Sequence, residues 1–151
     1  MESARKGKKI LIVDDEPDVT LTFKVILQGI GFTVDTCEDP LVALSNFRPG
    51  FYDLVILDIK MQKMNGFELY SEMLKMDNQV RICFITAGEM YYDNVPKKKE
   101  EEEQYCELDT ERFIQKPISN ADFMMRIKRI MKLNENQLVQ KRIEENYTRV
   151  D

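Results

Sequence analysis

Three acids, a threonine and a lysine are the residues of this chain whose types could do chemistry together: Asp14, Asp15, Asp58, Thr86 and Lys116. Asp58 poses the problem most sharply. Leu54 to Leu57 form a wholly apolar run, as in a strand buried on both faces, yet the run ends on a carboxylate. Burying an acid is costly unless something pairs with it. Either a cation satisfies Asp58 structurally, or the residue acts at the end of a sheet. Three carboxylates drawn together repel one another, and one lysine does not neutralise them. A divalent ion would. With oxygen donors and no histidine or cysteine nearby, the preferred ion is hard, and Mg²⁺ retaining several waters fits best. A cation, an ammonium and a hydroxyl around a central carboxylate suit phosphoryl transfer, in which positioning and charge neutralisation carry most of the catalysis. The carboxylate is then the nucleophile, and the product is an aspartyl phosphate.

Such residues need a scaffold that brings them to one rim. The β-branched run Lys9 to Val13 stops at Asp14-Asp15-Glu16, and Pro17 stands where a first helical residue belongs. Val19, Phe23, Ile26, Leu27 and Ile30 follow at helical spacing, and GIGF closes that helix. TVDTC predicts a second strand. Asp39-Pro40 opens a second helix with Leu41, Leu44 and Phe47 on one face. After the third strand, Gly66 opens a helix with Phe67, Tyr70, Met73 and Leu74 inward. VRICFIT, ending at Thr86, predicts the fourth strand, and RFIQ, ending at Lys116-Pro117, the fifth. Ser119 or Asn120 caps a last helix with Phe123, Ile127, Ile130 and Met131 buried. Strands alternating with helices imply parallel pairing with helices on both faces of the sheet. The fold expected is α/β, a doubly wound five-stranded parallel sheet. In such sheets ligands bind beyond the carboxyl ends of the strands, where strand order reverses, and all five residues fall at those ends.

The stretches VDDEPDV, LVILDIKMQKMNGFEL, FITAG and FIQKPI resemble the receiver domain of two-component response regulators, over about residues 8 to 133. The resemblance implies the flavodoxin-like version of this fold. It also implies that Asp58 accepts phosphate from the phosphohistidine of a sensor histidine kinase or phosphotransfer protein. Asp14, Asp15, Asp58 and the backbone carbonyl of Lys60 would hold Mg²⁺. Thr86 would hydrogen-bond the phosphoryl group, Lys116 would pair with it, and Phe113 would be the switch aromatic. The Lys116-Pro117 bond would be cis. Several positions depart from the family's habit. Gln62 stands where proline is usual, Asn65 where aspartate is, and Phe113 where tyrosine is commoner. Thr86 and Lys116 are also further apart than usual, and the extra length falls in a charged insertion at about 89–110.

Other readings compete. A phosphatase with an aspartyl nucleophile typically needs a second acid two residues on, where this chain has Lys60. A binding module that has lost phosphorylation would have no need of the five rim residues. A receiver portion of a larger regulator remains an alternative to a stand-alone switch acting on a downstream protein target. The formal charge of −5 gives no net electrostatic reason to bind nucleic acid or an anionic membrane directly. No run is long and apolar enough for membrane insertion, and the start lacks a signal-peptide stretch. The three cysteines, Cys37, Cys83 and Cys106, read as free thiols in a reducing cytoplasm. The chain contains no histidine, which excludes Ser-His-Asp and Cys-His catalysis.

Residues 1–7 read as a basic arm and 134–151 as a helical extension or tail. Lys97 to Glu103 reads as a solvated, polar face and a poor helix start. Met61, Met64, Met124, Met125 and Met131 read as core or gap fillers. The Lys60 side chain reads as pointing to solvent.

Overall fold

A computed structural model describes residues 8–87 and 112–132. The basic arm, the charged insertion with Lys97–Glu103, Cys106 and the tail lie outside the described residues. The elements run β1 (Lys9–Val13), α1 (Pro17–Gly29), β2 (Thr33–Cys37), α2 (Pro40–Asn46), β3 (Leu54–Asp58), α3 (Gly66–Met76), β4 (Ile82–Ala87) and β5 (Phe113–Lys116). A further helix, α4, spans 120–132. All five strands pair in parallel in the order β2-β1-β3-β4-β5. Strand order therefore reverses between β1 and β3.

Local chemistry sets each boundary. Pro17 is the first residue of α1, where its missing N–H is harmless. Gly31 ends that helix at φ +104°, and the Phe32 N–H turns back to Leu27 O at 3.0 Å. The Asp39 carboxylate caps α2 through the Leu41 N–H at 2.9 Å. Asn65 and Glu68 form a reciprocal capping box at the start of α3. That contact explains Asn65: it is an N-cap, a task its amide oxygen performs as well as a carboxylate. Ser119 caps α4 by accepting from the Asp122 N–H at 3.1 Å.

Strand alternation sends Leu11, Val13, Val55, Leu57, Ile82 and Phe84 to one core, which Ala43 of α2 and Phe67, Tyr70 and Met73 of α3 complete. Ile10, Ile12, Ile56 and Ile85 alternate to the opposite face, and all four are buried. β3 is buried along its whole length, as its apolar sequence requires of a central strand. The described residues divide into two compact units after Ile118. In the second, α4 buries Phe123, Ile127, Ile130 and Met131.

Some expected inward positions turn out otherwise. Leu41 is 47% exposed, because α2 starts at Pro40 and its inward positions are Pro40, Ala43 and then Phe47. On α1, Val19, Ile26 and Ile30 are only half-buried, and Thr20 takes an inward place. The Thr20 hydroxyl donates to Pro17 O at 2.9 Å, so burial leaves it no unmet hydrogen bond. Met125 is 57% exposed, two residues off the buried stripe of α4. Met61 and Met64 do pack against the core on the α2–α3 side.

Candidate functional site

The pairing of Val13 with Leu57 sets Asp14 beside Asp58 at the reversal point, both at carboxyl ends of strands. Ile85 pairs with Asp58 and Ala87 with Lys116, so Thr86 and Lys116 follow on the same rim. Asp14, Asp58 and Thr86 are all buried, with 2%, 3% and 4% exposure.

The charges there are unevenly matched. Lys116 Nζ donates to Asp14 Oδ2 at 3.1 Å and lies 3.8 Å from Glu16 Oε1. Asp14 Oδ1 accepts the Glu16 N–H at 2.9 Å. Asp14 is thus well compensated and Asp58 is not. Burial, reinforced by the neighbouring Asp14 charge, pushes the Asp58 carboxyl up to about 7, with Lys116 only partly offsetting it. A side-chain hydrogen bond with Asp14 adds to the rise. When ionised, Asp14, Glu16 and Asp58 carry two negative charges more than Lys116 offsets, an excess that a divalent cation would correct.

The oxygens that converge belong to Asp14, Glu16 and Asp58, within 4.8 Å of one another. Asp15, expected among them, instead accepts the Gln62 N–H through Oδ2 at 3.2 Å. Glu16 takes the third place. The sequence placed it in the acidic triplet after β1 but read it only as part of the strand's end. A donor set made only of carboxylate oxygens fits Mg²⁺.

Thr86 is at the rim, but its hydroxyl makes only a long contact, 3.4 Å, to Ala87 O. The Lys60 side chain is exposed, as read. The Phe113 ring is half-buried and stacked on Phe84, with centroids 5.3 Å apart. Phe84 in turn contacts Phe67 and Tyr70, so the ring beside the rim belongs to an aromatic cluster reaching α3. The Lys116-Pro117 bond is cis.

Gly66 plays a part its sequence role as a helix opener did not suggest. A Cβ there would stand 2.5 Å from the backbone oxygen of Asp58, and the Gly66 N–H donates to Ile59 O at 2.9 Å. Only glycine lets the loop after β3 close this tightly behind the acid.

A parallel sheet of this order, with buried acids at its reversal point and a lysine opposite, is the architecture of receiver domains. The chain belongs to that family: residues 10–128 match the response regulator receiver domain of two-component systems. It is 32% identical to the Transcriptional regulatory protein CpxR homolog of Haemophilus influenzae, over 82% of this chain and 50% of the relative. The non-phosphorylated HemR receiver domain from Leptospira biflexa superposes with a TM-score of 0.66 at 27% identity, covering 82% of this chain and 94% of that one. The response regulator TrrA from Thermotoga maritima, solved in complex with Mg²⁺ and BeF, gives a TM-score of 0.65 at 30% identity, with 82% and 98% coverage. The chain spans about half the length of the curated relatives it matches. Receiver domains interact with histidine kinases and are typically not enzymes in their own right. Among the described residues no helix is long and apolar enough to cross a membrane.

Proposed function

We propose that this protein is a phosphoacceptor switch in the cytoplasm, with Asp58 taking a phosphoryl group from the phosphohistidine of a sensor kinase or phosphotransfer protein. The observation that carries the reading is the buried, under-compensated Asp58 at the reversal point of the sheet. An Asp58 carboxylate oxygen attacks phosphorus, the P–N bond breaks, and the imidazole leaves with the electron pair. Lys116, now paired with Asp14, would pair with the new phosphoryl oxygens. The Thr86 hydroxyl, weakly engaged now, is free to turn toward the phosphoryl group. Its movement would open space beside β4 for the Phe113 ring and so alter the surface offered to a downstream protein target.

Asp14, Asp15, Asp58 and the Lys60 carbonyl would hold Mg²⁺, with Glu16 converging beside Asp14 and Asp58 and Asp15 reaching the ion from its contact with the Gln62 N–H. When bound, the ion would neutralise charge on Asp58 and on the incoming phosphoryl oxygens. The chain assists its own phosphorylation and dephosphorylation without turning over external substrates.

Intact mass after incubation with acetyl phosphate and Mg²⁺ tests this. One phosphoryl group should add, and Asp58→Asn should abolish it; labelling of the variant at the wild-type rate overturns the assignment. A second reading is favoured by the relatives, which are about twice as long and are named transcriptional regulators. On it, the same switch is the receiver portion of a longer regulator, and the mass of the native gene product separates the two.

A further inference from the structure

Asp15 stands among the rim acids in sequence, yet its carboxylate is turned onto the loop that joins β3 to α3. The donor it has found is the Gln62 N–H, 3.2 Å from Oδ2. A proline at this place would have no N–H to give. The loop is fixed in position to make the contact. Lys63 adopts a left-handed backbone at φ 73°, uncommon for a residue with a side chain, and the Met64 N–H closes a tight turn on Gln62 O at 2.8 Å. From that turn Lys63 Nζ reaches Asp39 Oδ2 at 2.6 Å. Asp39 is itself anchored, since its other oxygen caps α2. The ammonium beside it holds its carboxyl below the ordinary value, with the Leu41 N–H adding to the effect. Asp15, Asp39, Gln62 and Lys63 line a single small cleft of about 230 Å³ at the edge of the acidic rim.

Resting on the reading of the rim as a Mg²⁺ site, we propose that the Gln62 N–H, positioned by the Lys63–Asp39 ion pair, is a latch that holds Asp15 off the cation site and lowers its affinity. The contact takes Oδ2 and turns the carboxylate toward the loop, so on this proposal each contact that keeps Gln62 in place opposes binding. Gln62, Lys63 and Asp39 act through Asp15 and are positioning residues.

Calorimetric titration of the full chain with MgCl₂ tests the latch through three variants. Gln62→Pro deletes the donor without changing any charge. Lys63→Gly deletes the ammonium but suits the left-handed backbone. Asp39→Ser keeps a capping oxygen for Leu41 but is too short to reach Lys63. Each should tighten Mg²⁺ binding by roughly two- to fivefold, the scale of one exposed ion pair or hydrogen bond. Asp39→Ser is the discriminating case, because removing a negative charge near the rim would by long-range attraction alone weaken binding. In the wild type, the Gln62 amide resonance should also shift as Mg²⁺ is added, reporting loss of the Asp15 contact. Tighter binding by all three variants, with that shift, supports the latch. Weaker or unchanged binding by Gln62→Pro or Asp39→Ser overturns it while leaving the metal site standing. No Mg²⁺ binding by the wild type overturns the site reading and the latch together.

Discussion

Removing the charge of Asp58 should stabilise the metal-free protein, although it removes a buried side chain's capacity to ionise. Its carboxyl is raised from the ordinary value of 3.8 to about 7, chiefly by burial and then by Asp14. In the unfolded chain the group ionises near its ordinary value, so between that pH and about 7 folding takes up a proton. Stability contributed by this group is therefore fully present at low pH and lost as pH rises through the folded value. At about 1.36 kcal/mol per unit, a rise of about 3 units corresponds to about 4 kcal/mol. Water at the open rim screens part of this, and halving it gives about 2 kcal/mol as the working figure.

An asparagine in place of Asp58 has the same shape, can keep a hydrogen bond to Asp14, and never ionises. Urea unfolding of wild type and Asp58→Asn in EDTA, followed by circular dichroism, measures the difference. Near pH 4.5 the two should be close. By pH 8 the variant should be ahead by about 2 kcal/mol, a midpoint shift on the order of 1 M urea. Mg²⁺ should then close the gap by stabilising the wild type more strongly. Parallel pH profiles in EDTA, or a variant weaker at pH 8, would refute the argument that Asp58 is buried without adequate compensation.

Other outcomes follow from the same geometry. Gly66→Ala forces a methyl into the backbone of Asp58 and should cost about 1–3 kcal/mol in urea unfolding, with slower phosphorylation by acetyl phosphate at equal folded fraction. Asp15→Ala should weaken Mg²⁺ binding about tenfold, read by calorimetry, because a charged ligand is lost. Its metal-free stability should rise slightly in urea unfolding, since the Asp15 charge adds to the repulsion on Asp58. With beryllofluoride as phosphoryl mimic, hydrogen exchange should change at Thr86 and Ala87 and along Phe113–Lys116, and stay constant in α1 and α2. A response confined to residues 59–65 would mean that Phe113 transmits nothing.

Much of this was legible because the signals are local or alternate with a fixed period. Apolar runs ending in Asp14, Asp58, Thr86 and Lys116 placed those residues at strand ends, and the parallel register then brought them together. Caps were equally readable: Asp39 needs only the next residues of its own helix. What could not be read was side-chain direction where two partners compete. Asp15 and Glu16 are adjacent acids after one strand, and the sequence offers no reason to send one to the loop and the other to the rim. The choice is made by Gln62, 47 positions away in sequence. Leu41 and Thr20 failed for a related reason: hydrophobicity named a leucine as inward, whereas helix phase and a hydroxyl satisfied by Pro17 O decided who is buried.

On the proposed reading, a strand as buried as β3 ends in a carboxylate because a cation or a phosphoryl group would satisfy that acid. Asp14 takes the available lysine, and burial together with the Asp14 charge makes Asp58 costly to ionise. A salt bridge of its own would remove that cost. By the same reading a cation would offset the charge of Asp58, and a phosphoryl group would offer Lys116 new anionic oxygens in place of Asp14. Thr86 has only a 3.4 Å contact to give up, and Phe113 is packed by stacking without a hydroxyl to anchor it. On the proposed reading, the residue that reacts is the one whose charge the fold compensates only in part.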